Sequence, residues 1–124
     1  MQDAEARAAV ERRAVDLAVE HYTSVGWQVT ERGAPYDLDC VKDGQSIRVE
    51  VKGTTGQGAL VELTINEVIS AKQYPSELVV VKDIVLDRSG PTPVATGGFM
   101  KVFSDWTPSF ADLRVSRYQY SVGW

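Results

Sequence analysis

One cysteine and one histidine stand among 124 residues, and each scarcity removes a class of chemistry. A lone Cys40 cannot close an intramolecular disulfide, which fits a reducing compartment and a cytoplasmic location. Without a Cys/His cluster, no structural zinc site is expected. His21 falls at the edge of a helix's apolar arc, so a Ser-His-Asp hydrolase is not expected either. Long apolar runs are also missing. Nothing approaches the roughly 20 apolar residues of a membrane span, and MQDAEARAAV carries no apolar signal-peptide core. Cations are in short supply, with 13 Lys and Arg against 17 Asp and Glu and a net charge of −4. Strong nonspecific nucleic-acid binding rests on lysines and arginines neutralising phosphates, so this balance argues against it. It leaves room for a nuclease, because metal-holding carboxylates lower the net charge and bound cations restore it locally. Much of any DNA affinity would then come from a partner, a dimer or a fused domain.

What is present reads as one folded domain over residues 1–124, at 44% hydrophobic and 24% charged, with no repeat or linker. At 100° per residue, residues 3–24 place Ala4, Ala8, Val15, Ala18, Tyr22 and Val25 on one helix face, flanked by Val10, Ala14 and Leu17. Gly26 then ends the helix. Residues 27–31, 36–41 and 46–52 read as three strands, with Asp43-Gly44 as a hairpin turn between the last two. Another short strand is expected at 59–63. Thr64-Ile-Asn-Glu67 matches a capping box opening a helix to about Gln73, stopped before Pro75. The apolar run ELVVVKDIVL reads as a buried strand at 77–86. Residues 89–98 read as a Pro/Gly-rich loop, and RVSRYQYSVGW alternates like a late strand. The order is helix, three strands, helix, strand, then a tail.

The hairpin fixes a register. With Asp43-Gly44 as a two-residue turn, Cys40 faces Ile47 and Leu38 faces Val49 on one side of the sheet. On the other side Asp39 meets Arg48, an expected ion pair, and Asp37 meets Glu50. Two carboxylates directly opposed, with Cβ atoms about 5 Å apart, are destabilising unless something intervenes. Mg²⁺ is suited to the place, since it takes oxygen ligands and one or two carboxylates plus water. Lys52 lies one step beyond Glu50 on the same face. Glu11 falls at the centre of the helix's apolar face, where an unpaired charge is costly, so it is the helical acid expected to aim at the sheet.

Asp37, followed after a hairpin by Glu50-Val51-Lys52, resembles the D-(x)n-ExK signature of the PD-(D/E)XK nuclease superfamily. Glu11 is similar to the upstream helical glutamate of many members, and the element order matches the αβββαβ core. More narrowly, the run GW–V…PYDLDC…RVEVKGT…ELTINEV–SA…LVVV, over about residues 8–85, resembles the DUF3883 or NO VEIN C-terminal domain. The proline departs from the signature by one residue, as Pro35-Tyr36-Asp37. The resemblance implies an α/β (α+β) restriction-endonuclease-like fold, with a mixed central sheet flanked by helices and a core over about 3–86. It implies Mg²⁺-dependent hydrolysis of DNA, with Mn²⁺ as a substitute. Asp37, Glu50, the Val51 carbonyl and Glu11 would hold the metal, with Glu11 acting directly or through water, and Lys52 would orient the attacking water. DNA is the implied partner, together with a second copy or a fused or associated restriction or helicase component.

Plainer alternatives stand beside each assignment. Glu50 and Lys52 would otherwise be a solvated ion pair, worth about 0–1 kcal/mol. Glu11 would otherwise pair with Arg7, four residues earlier. Glu67 reads as a capping residue rather than a catalyst. Cys40 reads as a buried, inert thiol. GTTGQG (53–58) lacks the Gly-Lys-Ser/Thr of a nucleotide-binding loop and reads as a flexible loop near the metal. The competing functions are a nuclease-fold module that binds DNA or a partner protein, and an interaction domain using the aromatic tail (Trp106, Phe110, Tyr118, Tyr120, Trp124).

Overall fold

The computed structural model describes residues 3–114, 116 and 121–123. Helix α1 (Ala4–Ser24) is followed by strands β1 (Gln28–Glu31), β2 (Leu38–Lys42) and β3 (Gln45–Gly53). Helix α2 (Ile65–Gln73) then leads to β4 (Ser76–Asp87) and β5 (Val94–Phe103). The strands form one sheet in the order β1-β2-β3-β4-β5, parallel between β3 and β4 and antiparallel elsewhere. The expected α/β architecture, a mixed sheet flanked by helices, is what forms. Among the described residues no helix is long and apolar enough to cross a membrane.

The hairpin forms in the expected register, with Leu38 opposite Val49, Cys40 opposite Ile47 and Lys42 opposite Gln45. Asp43 and Gly44 both take positive φ, at 51° and 78°, as a tight hairpin turn matching the strands' twist requires. Because side chains alternate, Leu38, Cys40, Val49 and Val51 face one side and join Val10, Ala14, Ala18, Tyr22, Val79 and Val81 in the core. Burying each large apolar side chain here contributes about 1.5–3 kcal/mol. The Tyr22 hydroxyl reaches Glu77 Oε1 at 2.6 Å, so its polar end stays satisfied.

Helix α1 seats itself differently from its expected face. Its buried residues form an i, i+4 row, Ala6, Val10, Ala14, Ala18 and Tyr22, with Val15 beside it. Ala4, Ala8 and Val25 are exposed. In an alanine-rich segment the small side chains weigh little, and Val10 and Tyr22 decide which side is buried. The alanines matter for closeness instead. A Cβ on Gly53 would lie 2.7 Å from Ala14 Cβ and 3.1 Å from the Val10 carbonyl oxygen. The glycine after Lys52 is therefore where α1 crosses the end of β3.

Three further differences have physical reasons. Residues 59–63 form no strand, because β3 already has β2 on one side and β4 on the other. The segment read as a loop over 89–98 becomes β5 from Val94 onward, extending the sheet past residue 86. Its signature is broken by Gly97 and Gly98, both at positive φ, opposite a kink in β4 at Asp83 (φ 54°). A Cβ on Gly98 would meet Val81 Cγ1 at 2.7 Å. The late strand read at 114–124, with Tyr118, Tyr120 and Trp124, falls largely outside the described residues.

Candidate active site

The second face of the sheet carries Arg48, Glu50 and Lys52 from β3, the residues between the buried valines. Helix α2 lies over them, and its contacts with β3 are polar. Lys52 Nζ reaches Glu67 Oε1 at 3.0 Å, and the Arg48 guanidinium donates to Ser70 Oγ at 3.0 Å. Arg48 is also stacked between the rings of Tyr36 and Tyr74, 4.4 and 3.3 Å from their centroids. The capping box at α2 forms as expected: Glu67 N–H donates to Thr64 Oγ1, and Thr64 N–H donates to Glu67 Oε1 at 2.9 Å.

At the C-terminal end of β3 the sheet, α1 and the start of α2 enclose a cleft of about 730 Å³. Glu11, Asp37, Glu50, Val51 and Lys52 all line it, so the expected site residues share one space. Glu67, Thr54 and Arg7 line it too. Asp37 stands just before β2, where its N–H donates to the Val49 carbonyl at 3.1 Å. Its Oδ2 accepts from Val51 N–H at 2.8 Å, which fixes the carboxylate against β3.

Glu50 is the anomaly of the cleft. It is only 4% exposed, and its Oε2 has no hydrogen-bond partner. Burial, then the nearby Asp37 carboxylate, then the charge of Glu67 push its carboxyl up to about 10. Lys52 Nζ lies 3.5 Å from Glu50 Oε1, too far to satisfy it fully. Burial would lower the Lys52 ammonium, but the Glu67 hydrogen bond and the Glu50 charge outweigh it and hold it raised. Burial would likewise raise Glu67, but the Thr64 N–H and Lys52 keep its carboxyl below the ordinary value.

Glu11 differs from its expectation. It is exposed on the rim of α1 rather than at the centre of the buried face, since the buried row passes through Val10 and Ala14. It reaches the cleft from that rim. Among the described residues no ion pair joins it to Arg7. No three His, Cys, Asp or Glu side chains among the described residues converge tightly enough to hold a metal ion. Asp37 and Glu50 thus share the cleft at the end of β3, and Glu11 lines it from the exposed rim of α1.

The Asp39–Arg48 ion pair does not form, although the two residues are register partners. Asp39 instead accepts from Arg32 Nε and from the Tyr36 hydroxyl. Burial opposes ionisation, but these bonds hold its carboxyl below the usual value. Arg48 is taken up by the tyrosine stack. Cys40 is fully buried, as expected, and burial pushes its thiol up to about 12. The loop after Gly53 is anchored rather than free: Thr54 N–H donates to the Val81 carbonyl and Gly56 accepts from Asp83 N–H, both at 2.9 Å. Glu67 is the cleft residue that sequence reasoning placed elsewhere. Its capping role was legible, but its reach to Lys52 depends on the β3–α2–β4 crossover.

The fold and cleft define a mixed-sheet α/β domain with an acid–lysine site at the C-terminal edge of a central strand. The family model described as Protein NO VEIN, C-terminal, matches residues 10–93, more than half of the chain, and the chain belongs to that family. No curated protein and no solved structure matches it significantly.

Proposed function

We propose that the domain is a metal-dependent endonuclease of the PD-(D/E)XK type, hydrolysing DNA phosphodiester bonds in restriction, defence or repair. The observation that carries this reading is Glu50: a carboxyl group at 4% exposure, in one cleft with Asp37, with one oxygen lacking any partner. The ionised form of a buried acid in that state is costly unless a cation joins it. Asp37 and Glu50 fit Mg²⁺, or Mn²⁺ in its place, because a hard cation of this size commonly takes two carboxylates and fills its remaining positions with water and phosphate. When bound, such an ion lowers the pKa of a coordinated water and neutralises charge on the phosphate.

The chain's own residues have separable tasks. Val51 N–H holds Asp37 in place through its Oδ2. Glu50 supplies the second carboxylate from the rigid centre of the sheet. Lys52 presents a retained positive charge beside the cleft, suited to orienting water or offsetting charge in the transition state. Glu11 and the Val51 carbonyl line the cleft as further oxygen donors, Glu11 acting through water from the rim. DNA, a second copy, and a fused or associated restriction or helicase component are the proposed partners.

A second reading has its own support. Only two carboxylates stand opposed, and the net charge of −4 disfavours strong DNA binding. A weak or inactive nuclease-fold module that binds DNA or a protein within a larger assembly is consistent with both. Incubation of the purified chain with supercoiled plasmid and Mg²⁺ or Mn²⁺, beside EDTA and Glu50→Ala, separates the two. The nuclease reading expects cleavage that requires metal and falls by about a hundredfold or more in the variant. No cleavage of plain or modified DNA, with no cation binding, favours the module.

A further inference from the structure

We infer that Glu67 is the positioning residue for Lys52, holding its ammonium at the cleft from the first turn of α2; this rests on the nuclease reading above. A lysine side chain is a point charge on a flexible four-carbon stem, so its placement needs an anchor. Glu67 Oε1 is that anchor at 3.0 Å, nearer than Glu50 Oε1 at 3.5 Å. The carboxylate is itself fixed. Its Oε1 also accepts from the backbone Thr64 N–H. The N-terminal end of α2 adds a field that favours the charged form. Lys52 is 22% exposed at the side chain and Glu67 17%, so their pairing is only partly screened by solvent.

A capping role alone does not account for this arrangement. A capping box is served by Gln as well as by Glu, because only an acceptor oxygen is needed. The charge at Glu67 is needed for Lys52. Glu67 acts through the ammonium, since its Oε1 is already taken by Lys52 Nζ and Thr64 N–H. Glu67→Gln keeps the cap and removes the charge. Thr64→Ala removes the hydroxyl cap and keeps both the charge and the backbone Thr64 N–H bond to it.

The test compares plasmid cleavage by the full chain, Glu67→Gln and Thr64→Ala across a Mg²⁺ series, with thermal melting. A second readout needs no activity: nitrogen-15 NMR of the Lys52 ammonium in EDTA, assigned with Lys52→Arg. Glu67→Gln is expected to lower kcat by about tenfold or more, with KM and the Mg²⁺ midpoint within about twofold. Its Lys52 ammonium loses its protection from exchange. Thr64→Ala is expected to melt lower while cleaving within about twofold of the parent. Equal cleavage by the parent and Glu67→Gln overturns the inference alone, as does an unchanged ammonium signal. A roughly tenfold rise in the Mg²⁺ midpoint at constant kcat also overturns it, making Glu67 a cation ligand. A parent chain that does not cleave removes the nuclease reading, and the inference falls with it.

Discussion

The two faces of the sheet are built on opposite terms. Toward α1, Leu38, Cys40, Val49, Val51, Val79 and Val81 pack against a row of small residues and Tyr22, with the one hydroxyl satisfied. Toward α2, the strand offers Arg48, Glu50 and Lys52, and the helix answers with Ser70 and Glu67. The large isoleucines of α2 point elsewhere, Ile65 70% exposed and Ile69 44%, while Ala71 is buried. The first face has the form of a stabilising core. The second holds a buried acid in one cleft with a second carboxylate, an arrangement that lowers stability and is common at functional sites. Stability and activity should therefore respond to different substitutions.

The largest effect on stability should come from the α1 face. Leu38→Ala removes a fully buried side chain beside the hairpin, and about 2–5 kcal/mol of stability should be lost in denaturant titration. On the proposed nuclease reading, cleavage per folded molecule should hold, because Leu38 points away from the cleft. A large loss of rate in the residual folded fraction would blur the division between the faces.

A smaller effect should follow pH. Glu50 titrates near 4.5 when unperturbed and is pushed up to about 10 in the fold. Between those values the folded chain keeps a proton that the unfolded chain releases. Its contribution to cation-free stability is thus fully present below about 4.5 and lost as pH rises toward 10. Melting in EDTA should fall across this window in the parent and fall less in Glu50→Gln. The same slope in both would place the titration in another group.

The smallest response should be that of Cys40. It lies inside the α1 face with its thiol raised to about 12, so a thiol reagent at neutral pH should label it only after denaturant is added. Rapid labelling of the native chain would mean that the β2–β3 core opens readily.

Local chemistry made much of this legible. Asp43-Gly44 specified the turn, the turn specified the register from Leu38–Val49 to Lys42–Gln45, and the register brought Asp37 and Glu50 toward one cleft. Thr64 and Glu67 announced the start of α2 in the same way. The losses lie where a long-range partner decides. The face of α1 could not be resolved from alanines, which displaced Glu11 from the buried centre to the rim. Strand β5 was hidden by Gly97-Gly98, whose need appears only against Val81. Asp39 was matched to Arg48 by register, but Arg32 took the carboxylate and two tyrosines took the guanidinium. Glu67 was legible as a cap, but its second partner, Lys52, comes from another strand.

The most direct test of the central claim, that Asp37 and Glu50 form a cation site, is thermal melting of the parent chain and Glu50→Gln at pH 8 with EDTA and with Mn²⁺. Without cation, Glu50→Gln should melt higher than the parent, because at pH 8 the parent folds only by keeping Glu50 protonated, a cost that Gln does not carry. With Mn²⁺ the parent should rise by several degrees, as binding to the folded state alone requires, while the variant stays where it was. Equal melting of the two without cation, and no response of the parent to Mn²⁺, would contradict the claim and leave Glu50 and Lys52 as a structural ion pair.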